Sequence, residues 1–575
     1  MERPAGGQEL IGGGWAKNAT PQVGDGVQVH TEFSRVAASG MSFDRAVRVV
    51  VDKRPAKTWD VQINHDNRQA VKEGDVLHVR FWARCVESMT GEGFADVKFE
   101  LGREPWTQSL HHQISYTNRW TRFDFPFRAG QDFAVGEAKM SFQFGYDGQT
   151  VEIGGVSVMN YGPDADMAAL PQTKLVYPGH AADAPWRAAA AQRIDELRKG
   201  DLHITVVDAQ GRPVPGAEVR IEMTRHAFSF GSAVVAKTLA DPSFDPRYRE
   251  TVATWFNEVV FENDLKWVNH GTGDPDDIAA SLSWLAARDI GVRGHVLVWP
   301  GWEWLPEDLP ALASNPEELR RRVEQRVFDA AGKYRGQIKD WDVINEPYNN
   351  HDLMDILGKE VMIDWFKLAQ QADPEAKRYI NDWGILTGGG NDTNHQDNYH
   401  DWIDFLVENG APIDGIGLQG HFGSALTPPD RLLEILDRFA GFGKRIKITE
   451  LDIVMSDEAL RADYMRDFMT VMFSHEAVDG VLMWGFWAGH HWKPEAAPFD
   501  HDWTLKPHGQ AWKDLVLGEW WTQETTTTGA QGQAHLRGFA GNYCVTVTHN
   551  GQTVTAKPSL TREGLTLKLV LDEPE

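Results

Sequence analysis

Hydrophobic patterning changes regime along the chain. Up to about residue 162, short runs at 45–51, 76–84, 95–101, 120–127, 139–144 and 151–159 are strand-like, several alternate with period two, and polar or Gly-rich turns separate them. That alternation gives each strand one apolar face, and many short strands with regular turns predict a β-sandwich over 1–162. Residues 163–184 are rich in Ala, Pro and Asp and read as linker, followed by a short amphipathic helix at 186–198, so 163–200 is linker and helix. Residues 202–222 alternate on both sides of a Gly/Pro turn, which predicts a β-hairpin.

From 226 to about 517 the pattern becomes alternating strand and helix. Strand-like apolar runs lie at 227–232, 257–261, 292–298, 339–345, 377–381, 415–418, 445–449 and 480–484. The helices between them carry start signals and one apolar face. Asn315-Pro316-Glu317-Glu318 combines an N-cap, a first-position Pro and two first-turn acids, and Leu319, Val323, Val327 and Ala330 follow on one side. This order predicts a (β/α)8 TIM barrel over 201–523, opening with the hairpin. A doubly wound sheet is the runner-up, but no Gly-rich phosphate loop follows any of these strands. Beyond residue 523 a Thr/Gly/Gln-rich linker leads to alternating runs around Asn550-Gly551, which predict a small C-terminal β domain over 524–575.

Two of the barrel strands end in carboxylates. Trp341, Val343 and Ile344 run into Asn345-Glu346, and Pro347 stops the strand; 104 residues later RIKITELD places Glu450 at a second strand end. Barrel enzymes put their chemistry at the C-terminal ends of strands, and a carboxylate pair is the minimal equipment for glycoside hydrolysis. The two surroundings differ. Glu346 lies among Trp341, Pro347 and Tyr348, apolar company that disfavours the charged form and suits a general acid. Glu450 is followed by Asp452 and within reach of His421 at the end of GIGLQGH, a neighbour that favours a carboxylate and suits a nucleophile. Sequence gives no separation between the carboxyls, so retaining and inverting geometries both stand at this point.

Composition narrows the partner. With 83 acidic against 57 basic residues the net charge is −26, which disfavours nucleic acid and anionic membranes. The 23 Trp are many for this length and suit sugar stacking, although most belong in cores. Cys85 and Cys544 fall in different small domains, so neither a disulfide framework nor a Cys metal site is expected. No apolar run is long enough to span a membrane, and the first ten residues lack the apolar core of a signal peptide.

The barrel segment resembles glycoside hydrolase family 10, best known for endo-β-1,4-xylanases. The motifs that carry the likeness occur in family order: FGSAV at 230–234, FENDLKW at 261–267, RGHVLVW at 293–299, WDVINE at 341–346, YINDW at 379–383, DGIGLQGH at 414–421, ITELD at 448–452 and MWGFW at 483–487. The resemblance implies retaining double displacement on xylan, with Glu346 as acid/base and Glu450 as nucleophile. It implies that Asn345 meets the sugar 2-hydroxyl and that His421 and Asp452 keep Glu450 ionised. Glu262, Asn263 and Lys266 would bind hydroxyls on the non-reducing side, with His295, Trp299, Gln419 and Trp484 around the reacting sugar, and Trp492 is a further candidate substrate contact. The first 162 residues resemble the carbohydrate-binding modules that precede such xylanases, on the WDVQ run at Trp59 and the FWAR run at 81–84; Trp59, Trp106, Trp120 and Tyr146 are its candidate sugar contacts.

The chain departs from the family after Trp299, where PGWEWLP (300–306) replaces His-Ser-Gln-Leu-Pro, and at His490-His491-Trp492, where many members have Ser-Trp. Both changes bear on substrate choice more than on reaction type, because barrel loops set specificity. The alternatives are the same mechanism on another β-linked glycan, and a non-catalytic carbohydrate-binding barrel. The chemistry needs no cofactor or metal. The expected partner is a polysaccharide or oligosaccharide, the expected location extracellular or at the cell envelope; oligomeric state is not legible.

Overall fold

The computed structural model describes residues 4–571 except 13, 25–26, 28, 54, 56, 89–92, 117–118, 147, 174–176, 268–272, 424–425 and 456. The chain divides into two compact units, Met1–Tyr177 and Pro178–Glu575.

Antiparallel pairing builds two sheets in the first unit. One sheet runs Thr31–Ala37, Arg45–Val51, Gln149–Asn160, Val76–Ser88, Thr121–Arg128; the other runs Thr20–Val23, Val61–Asp66, Ala138–Gln143, Gly93–Leu101, Gln108–Tyr116. Period-two alternation sorts their side chains. Val97 and Phe99 enter the shared core, where Phe81 of the first sheet meets Phe142 of the second edge-on at 5.0 Å. Asp96, Lys98 and Glu100 of the same strand turn outward, yet each is only 7% exposed, so the outer face of the second sheet is polar and largely covered.

In the second unit the helix Pro185–Arg198 is fixed onto the barrel. Arg187 donates to both carboxylate oxygens of Asp467 (2.5 and 2.7 Å), and Arg198 donates to the carbonyls of Phe473, His475 and Val478.

The expected hairpin at 202–222 does not form. Its local turn is present, with Asp208 N donating to Arg212 O, but the strands diverge into different sheets. Lys199–Asp208 lies between Gln533–Phe539 and Leu565–Leu571, while Glu218–His226 lies between Gln523–Thr527 and Gly541–His549. The strands expected to make a separate C-terminal domain are therefore completed by strands that precede the barrel. One sandwich results, with the barrel inserted into it. Neighbour-in-sequence reasoning pairs the nearer partner, whereas here each apolar face is buried by a strand more than 300 residues away.

The barrel strands, numbered here for the barrel alone, are β1 Ser229–Val234, β2 Glu258–Phe261, β3 Gly291–Gly294, β4 Asp340–Asn345, β5 Lys377–Asp382, β6 Gly415–Phe422, β7 Arg445–Ile453 and β8 Val478–Met483. Each pairs in parallel with the next and β8 closes on β1, the predicted TIM barrel. Toward the N-terminal ends the interior is charged. Lys447 Nζ donates to Glu258 and Asp340 (2.5 Å each), Lys339 Nζ to Glu258 (2.5 Å), and Arg293 pairs with Asp340 and Asp342. These groups neutralise one another, with Arg293 Nε left without a hydrogen-bond partner among the described residues, and form a charged layer below the strand ends that carry the candidate chemistry.

Candidate active site

β4 delivers Asn345 and Glu346, and Glu346 turns the chain with φ 54°. A left-handed backbone at a non-glycine residue costs conformational energy and is characteristic of functional positions. On the opposite side, Gln419 and His421 of β6, and Glu450 and Asp452 of β7, are i,i+2 pairs that share one strand face. Register shifts at Leu418/Gln419 and between Ile448 and Leu451 lie beside them, irregularities that re-aim side chains at barrel rims.

Asn381 of β5 ties the two sides together. Its amide donates to Asn345 Oδ1 (2.8 Å) and Glu450 Oε1 (2.9 Å) and accepts from Thr449 Oγ1 (2.7 Å). His421 stands between two carboxylates, donating from Nε2 to Glu450 Oε2 (3.1 Å) and from Nδ1 to Asp452 Oδ2 (2.9 Å). Burial works against its charge, but the bond and charge of Asp452, then those of Glu450, outweigh it and push its pKa up to about 9. The ring is therefore an imidazolium at neutral pH. Asp452 shows the reciprocal result: burial would raise its pKa, and the His421 charge and hydrogen bond hold it below the usual carboxylate range.

Glu346 has no such cation. Gln419 Nε2 donates to its Oε1 (2.9 Å), while burial and then the Glu450 charge push its pKa up to about 8. One carboxyl is thus held protonated near neutrality and the other is clamped by an imidazolium, the division anticipated from their neighbours in sequence.

Of the candidate residues, Glu262, Lys266, His295, Trp299, Glu346, Gln419, His421, Glu450, Trp484 and Trp492 line one cleft of about 630 Å³. Asn345 and Asp452 are buried beside it, and Asn263 is tied to one of its lining residues. Asn263 Oδ1 accepts from Lys266 Nζ (2.7 Å), and Asn345 is fully buried with Nδ2 unpartnered among the described residues. Burial lowers the Lys266 pKa, against the charges of Glu450, Glu262 and Glu346. His295 is fixed from below by Asp342, with Nδ1 donating to Oδ2 at 2.9 Å, so the charged layer orients a cleft residue.

The family model for glycosyl hydrolase family 10 matches residues 221–515, just over half of the chain. The chain belongs to glycosyl hydrolase family 10. Curated relatives include the anti-sigma-I factor RsgI6 of Acetivibrio thermocellus, 34% identical over 372 residues (64% of this chain, 47% of that protein). Endo-1,4-beta-xylanase 1 of Arabidopsis thaliana is 29% identical over 360 residues (62% of this chain, 37% of that protein). The chain thus spans less than half the length of either. Among solved structures, xylanase 10B from Thermotoga petrophila in complex with xylobiose superposes with TM-score 0.46 at 25% identity, over 51% of this chain and 95% of that one.

Within this family 10 barrel, the departure after Trp299 has a defined shape. Trp304 stacks on Trp299 at 3.9 Å with 10° between the planes, and Lys266 Nζ lies 5.3 Å from the Trp299 ring centre. Glu303 and Trp304 reach the cleft, while Trp302 is tied back through its backbone N–H to Asp352 (2.8 Å). Sequence reasoning missed Asn381, Glu303, Asn349, Asn350, Trp383 and Thr387. Asn381 and Trp383 sit inside the YINDW motif at a strand end, the signal that could have marked them; the others are loop residues. Among the described residues no group of three His, Cys, Asp or Glu is placed to hold a metal ion, and no helix is long and apolar enough to cross a membrane.

The candidate aromatics of the first unit do not share one surface. Trp59 is 50% exposed, with Lys57 and Lys98 over its ring, and Trp106 is 48% exposed in the turn after Gly93–Leu101. Tyr146 is buried, donating to Asp96 (2.9 Å) and accepting from Gln113 (2.5 Å). Trp120 packs with Phe43 and Arg84 on the outer side of the other sheet.

Proposed function

We propose that the protein hydrolyses β-1,4-xylosidic bonds in xylan with retention of anomeric configuration. The observation that carries this reading is the opposed setting of two carboxyls on facing strand ends: Glu346 hydrogen-bonded by a neutral amide and with its pKa near 8, Glu450 hydrogen-bonded by a charged His421. Glu450 attacks the anomeric carbon as Glu346 protonates the departing glycosidic oxygen, giving a glycosyl ester on Glu450. Glu346, now ionised, takes a proton from water; that water attacks the same carbon, Glu450 leaves, and its carboxylate is restored. Asn345 Nδ2, buried and unpartnered among the described residues, is a donor kept for a sugar hydroxyl, a contact worth most if it strengthens in the transition state. Lys266, Glu262 and Trp299 bind the non-reducing side.

The first unit is proposed to hold the same class of glycan on the outer face of its second sheet. In its support, the half-exposed rings of Trp59 and Trp106 stand near opposite ends of that face; Lys98, Ser141 and Asn64, on one rung between them, are buried, so the two rings are the proposed contacts. Trp120 is excluded from that groove by lying on the opposite sheet. A polymer too large to enter a cell puts the reaction outside it.

A second reading is a barrel that binds glycan without cleaving it; one relative carries the name of an anti-sigma-I factor and not of a xylanase. A binder has no need of an acid held protonated near neutrality. The test is product release from plain xylan, arabinoxylan, glucuronoxylan, mixed-linkage glucan and cellulose, with wild type beside Glu450→Ala and the product anomer followed by NMR. Xylo-oligosaccharides released as the β-anomer by wild type alone are expected. Cleavage confined to glucan keeps the mechanism and moves the substrate, with 300–306 as the cause. No product from any polymer sinks the enzymatic reading.

A further inference from the structure

The nucleophile's support does not end at Asp452. Trp492, on the loop after β8, donates its indole N–H to Asp452 Oδ2 at 2.7 Å, the same oxygen that accepts from His421. A chain of three hydrogen bonds therefore runs from a loop residue that is 51% exposed to Glu450 Oε2. The Trp492 ring also meets the His421 ring at 4.9 Å and 66°, and it lines the cleft. The other oxygen, Asp452 Oδ1, is buried with no hydrogen-bond partner among the described residues, and Lys493 Nζ lies 4.0 Å from it. Lys493 rests on the Trp492 ring, 4.0 Å from its centre, a cation–π contact that links the two side chains.

We propose that Trp492 and Lys493 are positioning residues for the nucleophile: through Asp452 and His421, the loop after β8 holds the Glu450 carboxyl in the orientation needed for attack. This rests on the hydrolase reading above. The charged groups facing Asp452 are His421 from β6, Glu450 from its own strand and Lys493 from the loop. His491 of the same loop, which accepts from the Lys493 backbone N–H (3.0 Å), is kept neutral by burial at a pKa of about 4. Glu346 faces His421 across the cleft. Trp492 and Lys493 come from a loop and not from a barrel strand, and Trp492 itself lines the cleft.

The test uses 2,4-dinitrophenyl β-xylobioside, whose leaving group needs no proton, so that the first step reports on Glu450 and its support and not on Glu346. Trp492→Phe keeps the ring and removes the donor. Its kcat/KM is expected to fall about tenfold, the size of one lost charge-assisted hydrogen bond, with the acidic limb of the pH profile moving up by about one pH unit. The sign follows from Asp452: with fewer donors it takes up a proton at higher pH, and His421 then loses its counter-charge. Lys493→Met is expected to move the limb the same way by less. Should Trp492→Phe fail to fold, Lys493→Met decides alone, since its side chain is a surface cation. A raised KM with an unmoved acidic limb would make Trp492 a stacking platform only and overturn the proposal. A wild type that releases no dinitrophenol overturns the hydrolase reading and this proposal with it; a wild type that turns over with unmoved limbs in both variants overturns this proposal alone.

Discussion

Glu258 and Glu346 lie in the same barrel, one at the start of β2 and the other just past the end of β4, and burial pushes both carboxyl pKa values upward. They end on opposite sides of the ordinary value. Glu258 accepts from Lys339, Lys447 and Ser229, and the two ammonium charges pull it well below the usual range. Glu346 receives one neutral amide and faces another carboxylate, and it rises to about 8. Burial alone does not assign a role; the company does. The lower layer is closed by its own counter-ions and serves stability. The upper layer leaves Asn345 Nδ2 and Trp299 Nε1 without partners among the described residues, and these two, unlike the unpartnered Arg293 Nε of the lower layer, lie at or beside the cleft, where a ligand can meet them.

The largest test of that division is Glu450→Gln. It is expected to lower kcat by about four orders of magnitude or more while unfolding in urea stays close to wild type. Loss of folding in parallel with activity would erase the distinction between the layers. The converse variant is Lys447→Met, which strands Glu258 and Asp340 without their shared ammonium. Breaking one member of a buried ionic cluster costs about 3–5 kcal/mol, read as a lower urea midpoint. A variant that unfolds like wild type would show that the lower layer is not structural.

Glu346→Gln reverses the usual sign of a catalytic mutation. A carboxyl whose folded pKa is raised binds more protons folded than unfolded between its ordinary pKa and about 8, so it lowers stability as pH rises through that window. A neutral amide removes the effect. The variant is expected to gain roughly 1–3 kcal/mol at pH 7, reduced from the full linkage value because the cleft is open to water, and nothing near pH 4. Thermal unfolding at both pH values checks it, and equal midpoints at pH 7 would argue against a raised pKa.

How much of this was legible in the sequence follows the range of the interactions. Glu346, Glu450, His421 and Asp452 could be read because each terminates a short apolar strand within a few residues of its motif. The barrel could be read from the alternation of strand and helix. The partners of the 202–222 strands could not, since pairing with 523–527, 533–539, 541–549 and 565–571 is decided by burial across an inserted barrel. The charged layer was equally hidden. Lys447 and Arg293 sit in runs that read as ordinary strand, and only closure of the barrel brings them to Glu258 and Asp340. Trp492 was named as a sugar contact, but its bond to Asp452 depends on how a long loop folds back, which no local pattern encodes.

The finest test is Gln419→Leu, because Gln419 supplies the single hydrogen bond that lowers the Glu346 pKa. If charge and hydrogen bonding, not burial alone, separate Glu346 from Glu258, then removing this donor makes ionisation harder still. The alkaline limb of kcat/KM on an unactivated xylo-oligosaccharide, expected near pH 8 in wild type, should move upward by about half a pH unit, the worth of one neutral hydrogen bond. The rate itself is not diagnostic, since Gln419 lines the cleft and its loss weakens sugar binding as well. The limb isolates the proton. A limb that stays in place would mean that the Gln419 amide serves the sugar alone, leaving burial and Glu450 to set the acid; a limb that moves down would break the comparison, because it would require Gln419 to stabilise the protonated form.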